Sequence, residues 1–473
     1  MATPTATTGR PAATLDLYER WRKIYPLWIA GGFQRWRRVT LVFLLLVFYV
    51  TPWLEWDGRP AVWLNLPERK FSLLWATFWP QEFVLFSWLL ISAAFALFFF
   101  TVIAGRVWCG WVCPQTVWTL CYQWIEKWIE GDRSARIRLD RAPWTAAKFG
   151  RKSLKYALWG LLAFSIAVTF EGYFIPIREL LPKIARYDLL PIEKFWLFFP
   201  TVASFVMQGV LREQVCFHMC PYARFQSVMF DSETLIISYD AERGEPRGSR
   251  RRGTSSEAAG KGDCIDCKMC VSACPTGIDI RDGLQYQCIA CAACIDACNH
   301  VMDQMGYERN LVRYSALHAD RHEARSWRRP RLFGYGAVML VMLGALGFAL
   351  SQRVPLALDV IRDRSRLYRE LWDGTVENVY TLKIMNREQT DRSYRISVSG
   401  DWPLRLETAS GEADVHVEAG RQLDVPVRLV AAPADVKEGG TAVEFRVETL
   451  GEPAYDVRHE SRFHTPRGRG AGS

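Results

Sequence analysis

No cysteine precedes Cys109 or follows Cys298, so residues 299–473 of this chain carry no thiol at all. That absence argues against a disulfide-stapled module at the C-terminus. It also divides the chain into a thiol-rich part, suited to a reducing compartment, and a thiol-free part that tolerates an oxidising one. Histidine is scarce too: of seven in the chain, His416, His459 and His464 are scattered along the C-terminal part. They are expected on the surface and not as ligands. The first 35 residues are polar and basic, and no small-residue cleavage site follows the first apolar run, so no cleavable signal is expected. No signalling or DNA-binding element is recognisable. The formal charge of +9 could suggest nucleic acid, but the Lys and Arg residues crowd beside apolar runs, which suits an anionic membrane face and not a nucleic acid.

Long apolar runs are present. Half of the chain is hydrophobic while 23% is charged, and the two are segregated, as a membrane protein requires. Five segments approach the roughly 20 residues needed to cross a bilayer: 39–54, 83–104, 154–174, 195–211 and 332–350. Pro200 interrupts the fourth. The 20 Trp and 17 Tyr fit the aromatic belts at lipid–water boundaries, where Tyr222 and Arg224 are also expected. Residues 1–38 hold seven Lys/Arg and residues 105–152 hold nine, against three in 55–82 and four in 171–194. The positive-inside rule then puts the N-terminus, the 105–152 loop and the 212–331 segment in the cytoplasm, and residues 351–473 outside.

That external segment alternates apolar and polar residues at 379–385, 394–398, 415–417, 423–430 and 442–447. Short strands separated by turn residues predict a small antiparallel β-sandwich. Residues 240–262, rich in Gly, Arg, Ser and Glu, read as a flexible linker, and the tail from Gly468 as disordered.

The strongest motif is Cys264-x2-Cys267-x2-Cys270-x3-Cys274-Pro275, repeated as Cys288-x2-Cys291-x2-Cys294-x3-Cys298. Three closely spaced thiolates wrap one cubane, and the fourth serves the other cluster. Cys264, Cys267, Cys270 and Cys298 are therefore expected on one 4Fe–4S cluster, and Cys288, Cys291, Cys294 and Cys274 on the second. A single C-x2-C pair would also suit zinc, but the doubled order favours iron–sulfur. Asn299 stands where a proline would follow the last cysteine, and it is not a ligand position.

A second cysteine system repeats at the membrane. Cys109-Gly-Trp-Val-Cys113-Pro114 follows the second apolar run and Cys216-Phe-His-Met-Cys220-Pro221 the fourth, with Arg106 and Arg212 just ahead of each. Residues four apart share a helix face, so each pair presents two sulfurs together. Soft ligands of this kind suit Cu(I), with Met219 or His218 as further donors. A third iron–sulfur cluster, a redox dithiol and simple apolar packing are the other readings. Cys121, alone on a Trp-rich helix, reads as packing.

The paired C-x3-C-P motifs, Arg243-Gly-Glu-Pro-Arg-Gly248, Gly262-Asp-Cys-Ile-Asp-Cys267 and Cys274-Pro-Thr-Gly-Ile-Asp-Ile-Arg281 resemble the CcoG/FixG/RdxA proteins, cytochrome c oxidase accessory proteins. The resemblance implies a polytopic membrane ferredoxin of the bacterial inner membrane with an immunoglobulin-like C-terminal domain. It also implies reduction of Cu(II) to Cu(I) for the haem–copper centre of a cbb3-type oxidase, a cupric reductase in which Cys109, Cys113, Cys216 and Cys220 are the working thiols and transient copper ligands. The expected partners are that oxidase or its copper assembly factors, an unidentified cytoplasmic electron donor and membrane lipids, but no nucleic acid; a homodimer is left open. The alternative is an electron-transfer subunit like the NapH quinol dehydrogenases. The expected order is a cytoplasmic segment (1–38), a four-span region (39–239), a linker (240–262), a cytoplasmic 2×(4Fe–4S) ferredoxin-like domain (263–331), a fifth span (332–350) and a periplasmic β-sandwich (351–473).

Overall fold

The computed structural model describes residues 23–465 apart from positions 57, 75, 80, 81, 232, 254–259, 317–328, 353, 364, 365, 389, 409, 410 and 436–439. The tail expected to be disordered lies outside the described residues. Two compact units emerge. One gathers the chain up to Val50 with Ala94–Gly172 and Leu181–Met339; the other gathers Thr51–Ala93, Tyr173–Leu180 and the chain from Leu340 onward.

Among the described residues, five helices are long and apolar enough to cross a membrane: Gly32–Trp53, Phe83–Ala104, Ala146–Glu171, Pro191–Leu211 and Pro330–Ser351. Phe83–Ala104 contains no charged residue, and its 22 residues reach about 33 Å, close to the thickness of a hydrocarbon core. The third begins eight residues before the apolar run suggested. Thr145 caps it by accepting from the Lys148 N–H at 3.2 Å. Its first turns carry Lys148, Lys152 and Lys155, which are buried because carboxylates and carbonyls on neighbouring segments receive them. Hydropathy alone cannot register such a partner.

The fourth crossing changes pitch. Pro191 sits in the first turn, Glu193 accepts from the Leu190 N–H at 2.8 Å, and Pro200 is accommodated within the α-helix Pro191–Ser204. Wider π-helical turns follow over Phe205–Leu211 and again over Val215–Met219. Between them Arg212 adopts a positive φ of 50°, a costly conformation for a residue with a Cβ.

The cluster domain starts earlier than the cysteines. Strand Leu235–Tyr239 pairs antiparallel with Val312–Ala316, and helices Met269–Ala273 and Ala293–Met305 pack beside it. The presumed linker is correspondingly not free at its ends. Arg243 bonds Asp263 at 2.6 Å, Gly262 N–H donates to the Pro246 carbonyl, and Gly248 N–H donates to the Cys264 carbonyl. Arginines that looked like solvated linker charge are the side chains that dock it.

In the C-terminal part of the second unit, one sheet has the order 405–408, 422–431, 376–386 and 356–362, with 369–370 on the 376–386 strand; the other has 414–417, 392–400, 441–449 and 456–463. Every pairing is antiparallel. Tyr380, Leu382 and Ile384 meet Tyr394, Ile396, Phe445, Val447 and Phe463 in a buried core, with Tyr380 edge-on to Phe445 at 5.1 Å. All five alternating runs fall within strands. Leu356–Arg362, Arg405–Thr408 and Asp456–Phe463 were not anticipated: the last has only one fully buried side chain, and the second none.

Candidate iron–sulfur and thiol site

Each C-x2-C-x2-C loop bends in the same way. Asp266 and Lys268 have positive φ, and so do Ala290 and Ala292, at identical offsets from Cys264 and Cys288. Left-handed residues at those two places curl the backbone into a concavity, a geometry that collects inward N–H groups around an anionic ligand. Each loop then feeds a helix, starting at Met269 and at Ala293, that carries the third cysteine in its first turn and leads to the fourth.

Two cavities result. One is lined by Cys264, Cys267, Cys270 and Cys298, with Tyr239, Val301 and Leu311. The other is lined by Cys274, Cys288, Cys291 and Cys294, with Cys270 on its edge and Ile237, Ile278, Ile280 and Ile289 as walls. Four thiols around each apolar cavity, with the fourth supplied by the other loop, are the donor set of a 4Fe–4S cubane. Burial pushes the Cys270, Cys288 and Cys298 thiols up to about 12, so loading the donors displaces protons.

The membrane-boundary cysteines form a third group. Cys109 senses Cys113, Cys216 and Cys220, and burial pushes its thiol up to about 12, Arg106 working the other way. Cys216 is pushed to about 12 for the same leading reason. Burial also raises Cys113, opposed by the N–H groups of Gln115 and Thr116 at the start of the following helix. Cys109 Sγ donates to Gln226 Oε1 at 3.2 Å. Cys216 and Cys220 lie on and after a π-turn, not an α-helix, with Cys220 N–H donating to the Val215 carbonyl. At the wider pitch, four residues are still nearly one turn, so the two sulfurs stay on one side. His218 and Met219 are exposed and Cys121 is half-buried. The Tyr222 hydroxyl lies 2.6 Å from Thr101 Oγ1 on the second span.

The two cysteine systems touch. The Gly110 backbone, between Cys109 and Cys113, lies against Ile289 and Cys291 so closely that a Cβ there would be 2.5 Å from the Ile289 carbonyl oxygen. Trp111 Nε1 donates to the Ala290 carbonyl at 3.2 Å, and Arg37 Nε to the Gly110 carbonyl at 2.7 Å. Arg106 donates to the Tyr286 and Ala223 carbonyls, bridging the second cluster loop and the second C-x3-C-P motif. Cys216 shares a cavity of about 30 Å³ with Pro275, Thr276 and Ile289. None of these joints was legible beforehand, because Arg37 and Arg106 beside apolar runs look the same whether they anchor to lipid or pin a loop.

A buried ion network supports the joint. Glu126, fully buried, meets Arg212 at 3.0 Å, Arg136 at 3.2 Å, Lys23 at 3.4 Å and Lys155 at 3.7 Å. Burial alone would raise its carboxyl, but these cations outweigh it and hold Glu126 at about 2.

Five candidate spans, a doubled cubane-binding loop and a C-terminal β-sandwich define a multi-pass membrane iron–sulfur protein. Comparison with known sequences agrees: a 4Fe-4S dicluster domain matches residues 211–317, a 4Fe-4S binding domain matches 85–135, and the IG-like fold at the C-terminal of FixG matches 346–466. The chain is 37% identical to Protein RdxB of Cereibacter sphaeroides over 98% of its length and all of that protein. It is 38% identical to RdxA of the same organism, over 91% of this chain and 94% of that one. With the nitrogen fixation protein FixG of Rhizobium meliloti the identity is 36%, over 84% and 83%. The chain belongs to the FixG/RdxA family.

Proposed function

We propose that this chain carries single electrons from its cluster domain to Cu(II) held at Cys109, Cys113, Cys216 and Cys220. The observation behind this reading is the packing of Gly110 on the Ile289–Cys291 backbone, which leaves Cys109 one residue from the loop of the second cavity. Cys264, Cys267, Cys270 and Cys298 would hold one 4Fe–4S cluster, and Cys288, Cys291, Cys294 and Cys274 the other. Bound there, the clusters supply one-electron carriers.

The protein's own residues do the rest. Ile237, Ile278, Ile280 and Ile289 wall the second cavity from water. Arg106 fixes the cluster loop against the Cys220–Ala223 segment. Gln226 keeps the Cys109 proton hydrogen-bonded until a soft cation displaces it. Cu(II) accepts one electron to become Cu(I), and thiolates favour the reduced ion.

The resemblance to oxidase accessory proteins supports placing this reduction in copper supply to a cbb3-type oxidase, with that oxidase or its copper assembly factors as partners. The Lys/Arg distribution supports a bacterial inner-membrane topology with the cluster domain cytoplasmic and the thiol-free sandwich periplasmic. The test uses purified, dithionite-reduced protein: Cys109→Ser and Cys216→Ser should abolish Cu(II) reduction and leave both cluster signals intact. Copper reduction at the parent rate in both variants would overturn the copper site.

A further inference from the structure

Of the thirteen cysteines, Cys267 alone is exposed; the others are buried or half-buried. The first cluster cavity, that of the loop from Cys264 to Cys270, therefore meets solvent at this thiol. Asp266 and Lys268 on either side of it are exposed too. Hydrogen bonds tie this loop to Arg243, Gly244, Gly248 and Arg281, whereas the second loop is the one packed on Gly110. An electron bound for the membrane thiols thus enters at the first loop and leaves by the second.

Positive charge gathers at that entry. Residues 247–268 hold six Lys/Arg against three acids. Two of the acids are matched by arginines from outside the stretch, Asp263 by Arg243 and Asp266 by Arg281, each at 2.6 Å. Arg247 meets Glu245 at 3.2 Å, but Arg250, Arg251, Arg252, Lys261 and Lys268 have no carboxylate partner among the described residues. The stretch is pinned to the loop. Gly248 N–H donates to the Cys264 carbonyl at 3.0 Å, the Lys261 ammonium lies against Gly248, and the Arg250 guanidinium sits over the Tyr307 ring at 5.0 Å. Cations fixed around an exposed thiol create a positive field there, which steers acidic partners toward it. An anionic lipid surface would also attract such a rim, but the loop packed on the Cys109–Cys113 segment beside the spans is the other one.

We propose that the face around Cys267 docks an acidic one-electron carrier protein, with Arg251, Lys261 and Lys268 meeting its carboxylates. One electron leaves the reduced carrier for the centre held by Cys264, Cys267, Cys270 and Cys298. The carrier is oxidised by one electron, and no proton or group moves with it. A small, charged contact suits this task, since electron-transfer encounters bury less than about 1,200 Å² and release the spent partner quickly. The proposal names the partner class of the electron-transfer reading above and rests on it.

The experiment reads contact and not copper. Full-length holoprotein in neutral-lipid nanodiscs is titrated with an acidic flavodoxin as the probe. Affinity should fall about tenfold or more between about 0.05 M and about 0.5 M salt, as exposed charge pairs are screened. Zero-length carbodiimide coupling should join flavodoxin carboxylates to the amines of Lys261 and Lys268. The triple variant Arg251→Gln, Lys261→Gln, Lys268→Gln should bind about tenfold more weakly, the worth of three exposed ion pairs, with cluster absorbance unchanged. Parent affinity in that variant would overturn the proposal, and so would coupling at other lysines to the exclusion of these two. Loss of binding when phosphatidylserine nanodiscs replace the neutral ones would assign the rim to lipid and overturn it as well. None of these readouts involves copper, so the docking face and the copper site fail separately.

Discussion

Gly110 and Ile289 are in backbone contact: a Cβ on the glycine would lie 2.5 Å from the isoleucine carbonyl oxygen and 2.9 Å from the Cys291 Cα. Backbone on both sides means neither partner yields cheaply. Gly110→Ala should therefore push the Cys109–Cys113 segment off the cluster loop. We expect normal iron and sulfide content with Cu(II) reduction slowed about tenfold or more, since displacements near 1 Å already cost that much in positioned reactions. Stopped-flow reduction of Cu(II) by dithionite-reduced protein checks it. An alanine variant as fast as the parent would show that the contact does not set the rate.

Asp296 holds the first span to the cluster domain. Its carboxylate accepts from the Phe33 and Gln34 N–H groups at 3.3 and 2.8 Å, at the start of the helix Gly32–Val50, while Gln34 Nε2 donates to the Cys291 carbonyl at 3.0 Å. Asp296→Ala removes the acceptor of two terminal helix donors and should cost about 1 kcal/mol. The loss should be read as a lower melting temperature, with the electronic spectrum of the clusters unaltered below the transition.

How much of this was legible beforehand depends on what each signal reports. Cysteine spacing reports loop curvature directly, so the grouping of Cys298 with Cys264, Cys267 and Cys270 around one cavity could be anticipated from the chain. Apolar length reports the spans, and alternation reports the strands whose one face is buried. Lys152 and Lys155 defeat hydropathy, because their partner Glu130 lies on another helix and only the fold brings it near. The π-turn at Val215–Met219 leaves no mark in residue periodicity. The contact of Gly110 with Ile289 joins residues nearly two hundred positions apart, and glycine gives no hint of what it admits.

Glu126 makes a prediction about acid. It is fully buried among Arg136, Arg212, Lys23 and Lys155, so Glu126→Gln leaves those cations without their anion and should cost about 3–5 kcal/mol at neutral pH. The folded carboxyl titrates at about 2, below the roughly 4.3 of an unfolded chain. A folded value below the unfolded one means stabilisation is complete above about pH 4.3 and is lost as pH falls toward 2. The stability gap between parent and variant should thus be constant from pH 7 to 5 and narrow below that, as followed by far-ultraviolet circular dichroism. A gap independent of pH down to 2 would contradict the assignment.

The exchange of fourth cysteines between the two loops gives the sharpest test of the cluster domain. Cys298 senses Cys270, Cys264 and Cys267, whereas Cys288 senses Cys291 and Cys274. If each fourth cysteine served its own loop, Cys274→Ser would disturb the cavity of Cys264 and Cys298→Ser that of Cys288. The observed grouping demands the reverse. Cys298→Ser should degrade only the cluster of the first loop and leave the one whose loop backbone packs against Gly110, so reduced protein still delivers one electron to Cu(II). Cys274→Ser should remove the cluster nearest the membrane thiols, leaving the distant one reducible by dithionite but unable to pass its electron on. Electron paramagnetic resonance spin counts of the two anaerobically purified variants, taken with their Cu(II) reduction, decide the matter: equal loss of copper reduction in both would mean that the order of the two centres along the wire is wrong.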